Sequence, residues 1–270
     1  MKNLSGLSVL VIGGLGRIGN QIIEALQLDG CTVSALDVKE KILANDTLGT
    51  GYFFENNNIF EFSDGRIQTS AKMFDVVIIC TRVRTSNPGS LGSHEPISGE
   101  SIENLISGFQ GTITGPLEVM HALIGNTNFQ KDLTVIWLYS TNSMTVSHQD
   151  LAYHVTNGAV PQLCRFLALS LRDSGVRIYP VEIGVISLSP IVNSVSSEEV
   201  KYPPIAFLDL HQILKFLSVF SSFAISGSPI TLAGGRNFMD STAAYEKHFG
   251  GLGVRPLIPQ NDNSKSKAIE

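Results

Sequence analysis

The chain has 270 residues, 43% of them hydrophobic and 16% charged, with a formal net charge of −5. That length accommodates one α/β domain with a substantial core. The acidic balance, with no cluster of Lys and Arg, sets nucleic acid aside as a partner, and no apolar run reaches the ~18 residues of a membrane span.

The N-terminal residues Met1-Lys2-Asn3-Leu4-Ser5 lack a signal-peptide core, so a cytoplasmic location is expected. Val9-Leu10-Val11-Ile12 reads as a buried strand. The turn Gly13-Gly14-Leu15-Gly16-Arg17-Ile18-Gly19 follows at once, and Ile18, Ile22, Ile23 and Leu26 then recur at helical spacing. Strand one and helix one together span about Ser8 to Asp29, closed by Gly30. Strand, glycine turn and helix form the context of a dinucleotide fingerprint. Gly13 turns the chain, Gly16 admits a pyrophosphate, and Gly19 lets helix and strand pack closely. A helix N-terminus favours the phosphates. Strand two, Thr32 to Leu36, leads to Asp37, 18 residues beyond Gly19. An acid there accepts the ribose hydroxyls of NAD and repels a 2′-phosphate, so NAD is the expected cofactor.

From Lys39 to Asn58 no clear element stands out. Ile59-Phe60-Glu61-Phe62 reads as a short third strand ending near Asp64. Asp64 either faces an adenine ring or opens an Asp-Gly turn. Phe74 to Cys80 is predicted as strand four, and the polar stretch Thr81 to Ser101 leaves the strand end where α/β folds bind ligands. A helix is expected over Glu103 to Ile124. Its Gly108, Gly111, Gly115 and Pro116 either allow close packing or break it, since each glycine weakens a helix interior by ~1 kcal/mol. Leu133 to Tyr139 is predicted as strand five, delivering Ser140 to the same sheet edge. A long helix follows over Leu151 to Ser174, then strand six over Val176 to Val185. Ser187 to Pro204 is a candidate substrate lid, Phe207 to Phe223 a third long helix, and Pro229 to Leu232 the last strand. The expected architecture is one Rossmann-type doubly wound parallel sheet over residues 1–258, with a polar, disordered tail at 259–270. Cys31, Cys80 and Cys164 lie among apolar neighbours and read as core fillers. His121, His148, His211 and His248 lack metal-ligand spacing, so no metal is expected.

Over about residues 5 to 240 the chain resembles the short-chain dehydrogenase/reductase family. The glycine turn, the Asn104-Leu105 pair opening the fourth helix, Ser140 ending strand five and Tyr153 thirteen residues later carry the likeness. Gly184 after strand six and Leu232-Ala233-Gly234-Gly235 extend it. Three places depart. Asn157 stands where the Tyr-x-x-x-Lys motif has Lys. Cys80-Thr81-Arg82-Val83 replaces Asn-Asn-Ala-Gly, and Ile183-Gly184 replaces Pro-Gly.

The resemblance implies an NAD-dependent oxidoreductase acting on a carbonyl or alcohol of a small molecule. It assigns Tyr153 as proton donor or acceptor, Ser140 to steady the substrate oxygen, and Asn104 as the structural Asn. It implies a cofactor site built from Gly13, Gly14, Gly16, Arg17, Ile18, Gly19, Asp37, Asp64, Cys80 and Asn157. Asn157 can bond a ribose hydroxyl but cannot supply the motif's positive charge. A free tyrosine has a pKa of ~10 and is a poor base near neutral pH, so Arg82 or Arg84 is a candidate substitute cation. Replacing Asn157 with Lys is then expected to restore the charge if the chain is an impaired reductase. The alternative is a catalytically silent or non-redox member, epimerase- or dehydratase-like, that keeps the nucleotide fold. Family members pair through helices four and five, which implies a homodimer or homotetramer.

Overall fold

The computed structural model describes residues 4–38, 52–55, 60–63, 66–69, 74–81, 99–125, 132–141, 151–184, 186–187, 205–220 and 222–232. All lie within one compact unit, Met1–Gly235. The strands in chain order are β1 (Ser8–Ile12), β2 (Thr32–Val38), β3 (Tyr52–Glu55), β4 (Phe60–Ser63), β5 (Arg66–Thr69) and β6 (Val76–Ile79). Then come β7 (Leu133–Ser140), β8 (Val176–Ile183), β9 (Ile186–Ser187), β10 (Ile205–Ala206) and β11 (Ile230–Leu232). The helices are α1 (Arg17–Leu28), α2 (Gly99–Phe109), α3 (Gly115–Ile124), α4 (Leu151–Ser170) and α5 (Phe207–Val219).

The main sheet has seven strands in the order β11-β8-β7-β6-β1-β2-β3. Six run parallel. Parallel strands covered on both faces read as unbroken apolar runs, and β6 is buried at all four residues. Trp137, Val135 and Ile178 face one layer, packed against Met120 of α3 and Cys164 of α4. Ile136, Tyr179 and Val181 face the other, packed against Ile22 and Leu26 of α1 and Leu210, Leu214 and Leu217 of α5. Burying each such side chain contributes ~1.5–3 kcal/mol. This two-faced core is the doubly wound arrangement the strand–helix alternation predicts.

The sheet's far edge differs from expectation. Phe60–Ser63 is not the third strand of the main sheet. It pairs antiparallel with β5 in a separate two-stranded ribbon. The strand beside β2 is β3, and it too is antiparallel. β2 therefore runs two residues further than expected, to Val38, because Asp37 and Val38 have ladder partners in Phe53 and Tyr52.

The glycine-rich fourth helix begins at Gly99, earlier than expected, and is neither straight nor broken. Gln110–Thr114 forms one π-helical segment between α2 and α3, a wider turn that such helices use in single pieces. Pro116 sits in the first turn of α3 and has no N–H to give the preceding turn of the helix. Helix α5 stops at Val219 rather than Phe223. Phe220 turns extended and stacks on Phe216 with ring centroids 4.8 Å apart. The carbonyls of Phe220 and Ser222 then accept from the Tyr179 hydroxyl at 3.3 and 2.8 Å, which satisfies a phenol set in the core. Two short strands went unread: β9 and β10 pair in parallel, on either side of the stretch named as a lid. Residues 188–204 lie outside the described residues, as do 259–270.

Candidate nucleotide and proton-transfer site

Parallel strands end at one edge of the sheet, and the candidate residues gather there. After β1 the chain moves to β2 on one side, whereas β6 lies on the other. That is a topological switch point, where open α/β sheets bind ligands.

The glycine turn fills this crevice. Gly13 has φ +87°, a region L side chains rarely adopt. A Cβ there would lie 2.9 Å from the Cys80 carbonyl and the Thr81 nitrogen. The ends of β1 and β6 can approach this closely only with glycine between them. Gly19 is constrained from the other side: its Cβ would stand 2.2 Å from the Gly13 oxygen. The first turn of α1 is thereby seated on the turn that precedes it. Gly13 and Gly14 donate to the Leu36 carbonyl at 2.7 and 3.3 Å, which ties the turn to β2. Gly16 begins α1 with no side-chain cap, and the first turn holds no acidic residue. Arg17 is exposed there and Ile18 half-buried against the α1 core. A helix N-terminus left bare of side-chain acceptors favours an anion.

Asp37 borders the same crevice from β2. Its Oδ2 accepts from the Leu15 N–H at 2.7 Å, so the carboxylate braces the tip of the glycine turn. Cys80 lies beneath. Its backbone N–H donates to the Ile12 carbonyl at 2.8 Å, and its Sγ lies 3.3 Å from Ile12 O and 3.5 Å from Gly13 O. Burial, with the Asp37 carboxylate adding to it, pushes the Cys80 thiol up to about 12. It stays protonated as a weak donor to the turn. The neighbouring Thr81 hydroxyl is shut off from solvent and has no hydrogen-bond partner among the described residues.

The second half of the site lies at the end of β7. Ser140 donates its backbone N–H to Asn157 Oδ1 at 2.8 Å. Asn157 Nδ2 donates to the Tyr153 carbonyl at 2.8 Å. The structure thus brings Ser140, Tyr153 and Asn157 together through one buried amide. The Tyr153 ring meets His154 edge-on, centroids 6.0 Å apart. Half-buried Asn104 stands on α2, the helix that crosses α4 at Gly108. A Cβ on Gly108 would lie 3.2 Å from Thr156 and 3.5 Å from Ala152, which places this close crossing beside the Tyr153 turn. Asp64, Arg82 and Arg84 lie outside the described residues.

Several residues near this edge went unnoticed in the sequence. Thr81 is one, and its signal was its place directly after β6. Glu182 is another, a lone acid in the buried run Val176–Ile183. It accepts from the Thr231 hydroxyl at 2.8 Å and stands in register with Tyr139. Burial, with Glu182 close by, holds the Tyr139 phenol well above its ordinary value. Cys31, Cys80 and Cys164 are all unpaired, and Cys31 and Cys164 are buried in the core layers. Among the described residues no three His, Cys, Asp or Glu form a metal cluster, and no helix is long and apolar enough to cross a membrane.

No family model matches the chain. A tropinone reductase homolog from Arabidopsis thaliana is 27% identical over 192 residues, 65% of this chain and 68% of that protein. Two solved structures are similar across nearly their whole length. One is a short-chain dehydrogenase from Leptospira borgpetersenii with bound NAD+, at TM-score 0.62 and 15% identity, covering 87% of this chain and 96% of that one. The other is a 3-oxoacyl-[acyl-carrier protein] reductase from Brucella melitensis with bound NAD, at TM-score 0.62 and 16% identity, covering 86% and 92%. The chain has the short-chain dehydrogenase/reductase fold. Its crevice has the strand–glycine–helix geometry described above.

Proposed function

We propose that this chain is an NAD-dependent reductase of the short-chain dehydrogenase/reductase family that reduces a small-molecule ketone. One observation carries the reading. A glycine turn with no room for a Cβ at Gly13 or Gly19 opens at the same sheet edge as the Ser140, Tyr153 and Asn157 cluster. NAD(H), when bound, supplies the hydride. The residues at that edge fit it. The main-chain N–H groups of the first turn of α1, from Arg17 through Gly19, would hold the pyrophosphate. Asp37 takes the ribose hydroxyls and repels a 2′-phosphate. Tyr153 gives its hydroxyl proton to the substrate oxygen as negative charge develops there, and Ser140 steadies that oxygen with its own hydroxyl. Asn157 brings no positive charge to this corner, and that difference bears on reduction and oxidation alike, because proton donation and removal share one transition state.

NADH consumption with tropinone as the first ketone tests this reading, because a relative bears that substrate in its name. Tyr153→Phe is expected to lower turnover by about 10²–10⁴-fold with NADH affinity kept. Equal turnover in both forms removes Tyr153 from the mechanism. A second reading, nucleotide binding without turnover, draws on the neutral Asn157 amide being committed to main-chain groups. It predicts NADH binding and no turnover in either form.

The protein is also read as a homodimer or homotetramer. Ile102 and Ile106 of α2 and Phe166 and Leu169 of α4 are exposed apolar side chains on the two helices expected to pair. A monomeric mass by light scattering at micromolar concentration would remove that assignment.

A further inference from the structure

Asn157 is 6% exposed, and both ends of its amide meet main-chain groups. Oδ1 faces a donor, the Ser140 N–H, and Nδ2 faces an acceptor, the Tyr153 carbonyl. A backbone N–H only donates and a carbonyl only accepts, so the amide has one orientation. β6 ends at Ile79, level with Trp137, and β7 runs on to Ser140. There the Asn157 amide joins the main chain of β7 to that of α4.

We propose that Asn157 is a positioning residue and not a cofactor contact. Its amide is a strut between the end of β7 and the Tyr153 turn of α4, and it sets the distance between the Ser140 and Tyr153 side chains. Lysine carries three donors and no acceptor. At position 157 it would remove the acceptor that the Asn157 amide offers the Ser140 N–H, whatever charge it brought. The Asn is therefore not a damaged Lys. The corner around it is built for an amide. The catalytic half of this inference rests on the reductase reading above, and the strut itself does not.

The test uses Asn157→Ala, Asn157→Asp and Asn157→Lys in the full chain. Amide hydrogen exchange at Ser140, followed by NMR, reads the strut directly. Asp keeps the acceptor for Ser140 and loses the donor to Tyr153, so it is the partial rescue. Protection at Ser140 is expected in wild type and Asn157→Asp. Exchange about tenfold or more faster is expected in Ala and Lys, the size of one lost buried bond. NADH affinity should stay within about threefold in Ala. Its turnover of tropinone should fall by about 10–100-fold, the scale of a small misplacement of reacting groups, with Asp between Ala and wild type. Unchanged Ser140 exchange in Asn157→Ala overturns the strut. So does NADH affinity that falls as far as turnover, which would make Asn157 a cofactor contact, and so does a gain of turnover in Asn157→Lys. If wild type neither binds NADH nor turns over a ketone, the reductase reading fails, and Ser140 exchange still decides the strut.

Discussion

The two halves of the candidate site are held in place by different physics. The glycine turn is specified by exclusion. At Gly13 and Gly19 there is no space for any side chain, and the obstructing atoms are main-chain atoms that cannot rotate away. The corner at Ser140 and Tyr153 is specified by hydrogen bonds through one side chain. Exclusion leaves no substitute residue type. A hydrogen-bonding strut can be rebuilt from other donors and acceptors. The glycine turn accordingly resembles the family pattern, and the departures from that pattern fall outside it, at Cys80-Thr81-Arg82-Val83, Asn157 and Ile183-Gly184.

The largest expected effect breaks the first half. Gly19→Val drives a side chain into the Gly13 oxygen and is expected to cost at least about 3 kcal/mol in urea unfolding, beyond ordinary overpacking. Gly16→Ala is the control in the same turn. Its Cβ would lie 3.2 Å from that oxygen, and the expected cost is about 1 kcal/mol or less. Similar losses from both would show that the turn is held by something other than exclusion.

In the second half, Asn157→Leu removes the acceptor of the Ser140 N–H and the donor to the Tyr153 carbonyl, which is expected to cost about 1–3 kcal/mol. A smaller loss would mean that the corner closes by itself. Asp37→Asn keeps an acceptor for the Leu15 N–H while removing the charge. The preference for NADH over NADPH is then expected to narrow by about fivefold in calorimetric titrations, the effect of one charge–charge repulsion of ~1 kcal/mol. An unchanged ratio would make Asp37 a brace for the turn and nothing more.

The smallest effect lies at the far end of α1. Burial opposes ionisation of Asp29, but hydrogen bonds from Lys215 and His211, at 2.9 and 2.8 Å, outweigh it and hold the carboxyl below its ordinary 3.8. A depressed carboxyl stabilises the fold above its unfolded-state value and loses that contribution as pH falls through the folded one. Wild type should therefore lose about 1 kcal/mol or less as pH drops below about 4, a surface-pair magnitude. Asp29→Asn should not show that loss, and parallel acid limbs in the two proteins would dismiss the pair.

The strands that were legible are those buried on both faces. β6 is an unbroken apolar run, β1 is one after Ser8, and β7 and β8 are mostly apolar, with Arg177 and Glu182 the charged residues of β8. Gly13 and Gly19 were legible because their spacing from the strand fixes their task. The antiparallel β3 was not. Tyr52-Phe53-Phe54-Glu55 states its strand propensity but not its partner or direction, and only the ladder to β2 decides those. The role of Asn157 was hidden for a related reason. Its acceptor oxygen answers to a backbone N–H seventeen residues away, and no residue type records so distant a backbone partner. The buried Arg177, paired with Asp132 and Thr134, went unread in the same way, since its partners stand on or beside a neighbouring strand.

The π-helical segment Gln110–Thr114 acts as a phase shift in a continuous helix. Upstream, Gly108 must face α4. Downstream, Val119, Met120 and Leu123 must face the sheet. An α-helix advances ~100° per residue, and the wide turn uses an extra residue before the next rung closes. Removing any one residue between 110 and 114 would let the helix run regular and would rotate α3 by about that angle against α2. One of the two faces would then point at water. The two helices can keep both neighbours only while that surplus residue is present, so the segment should accept substitution far more readily than a change in length.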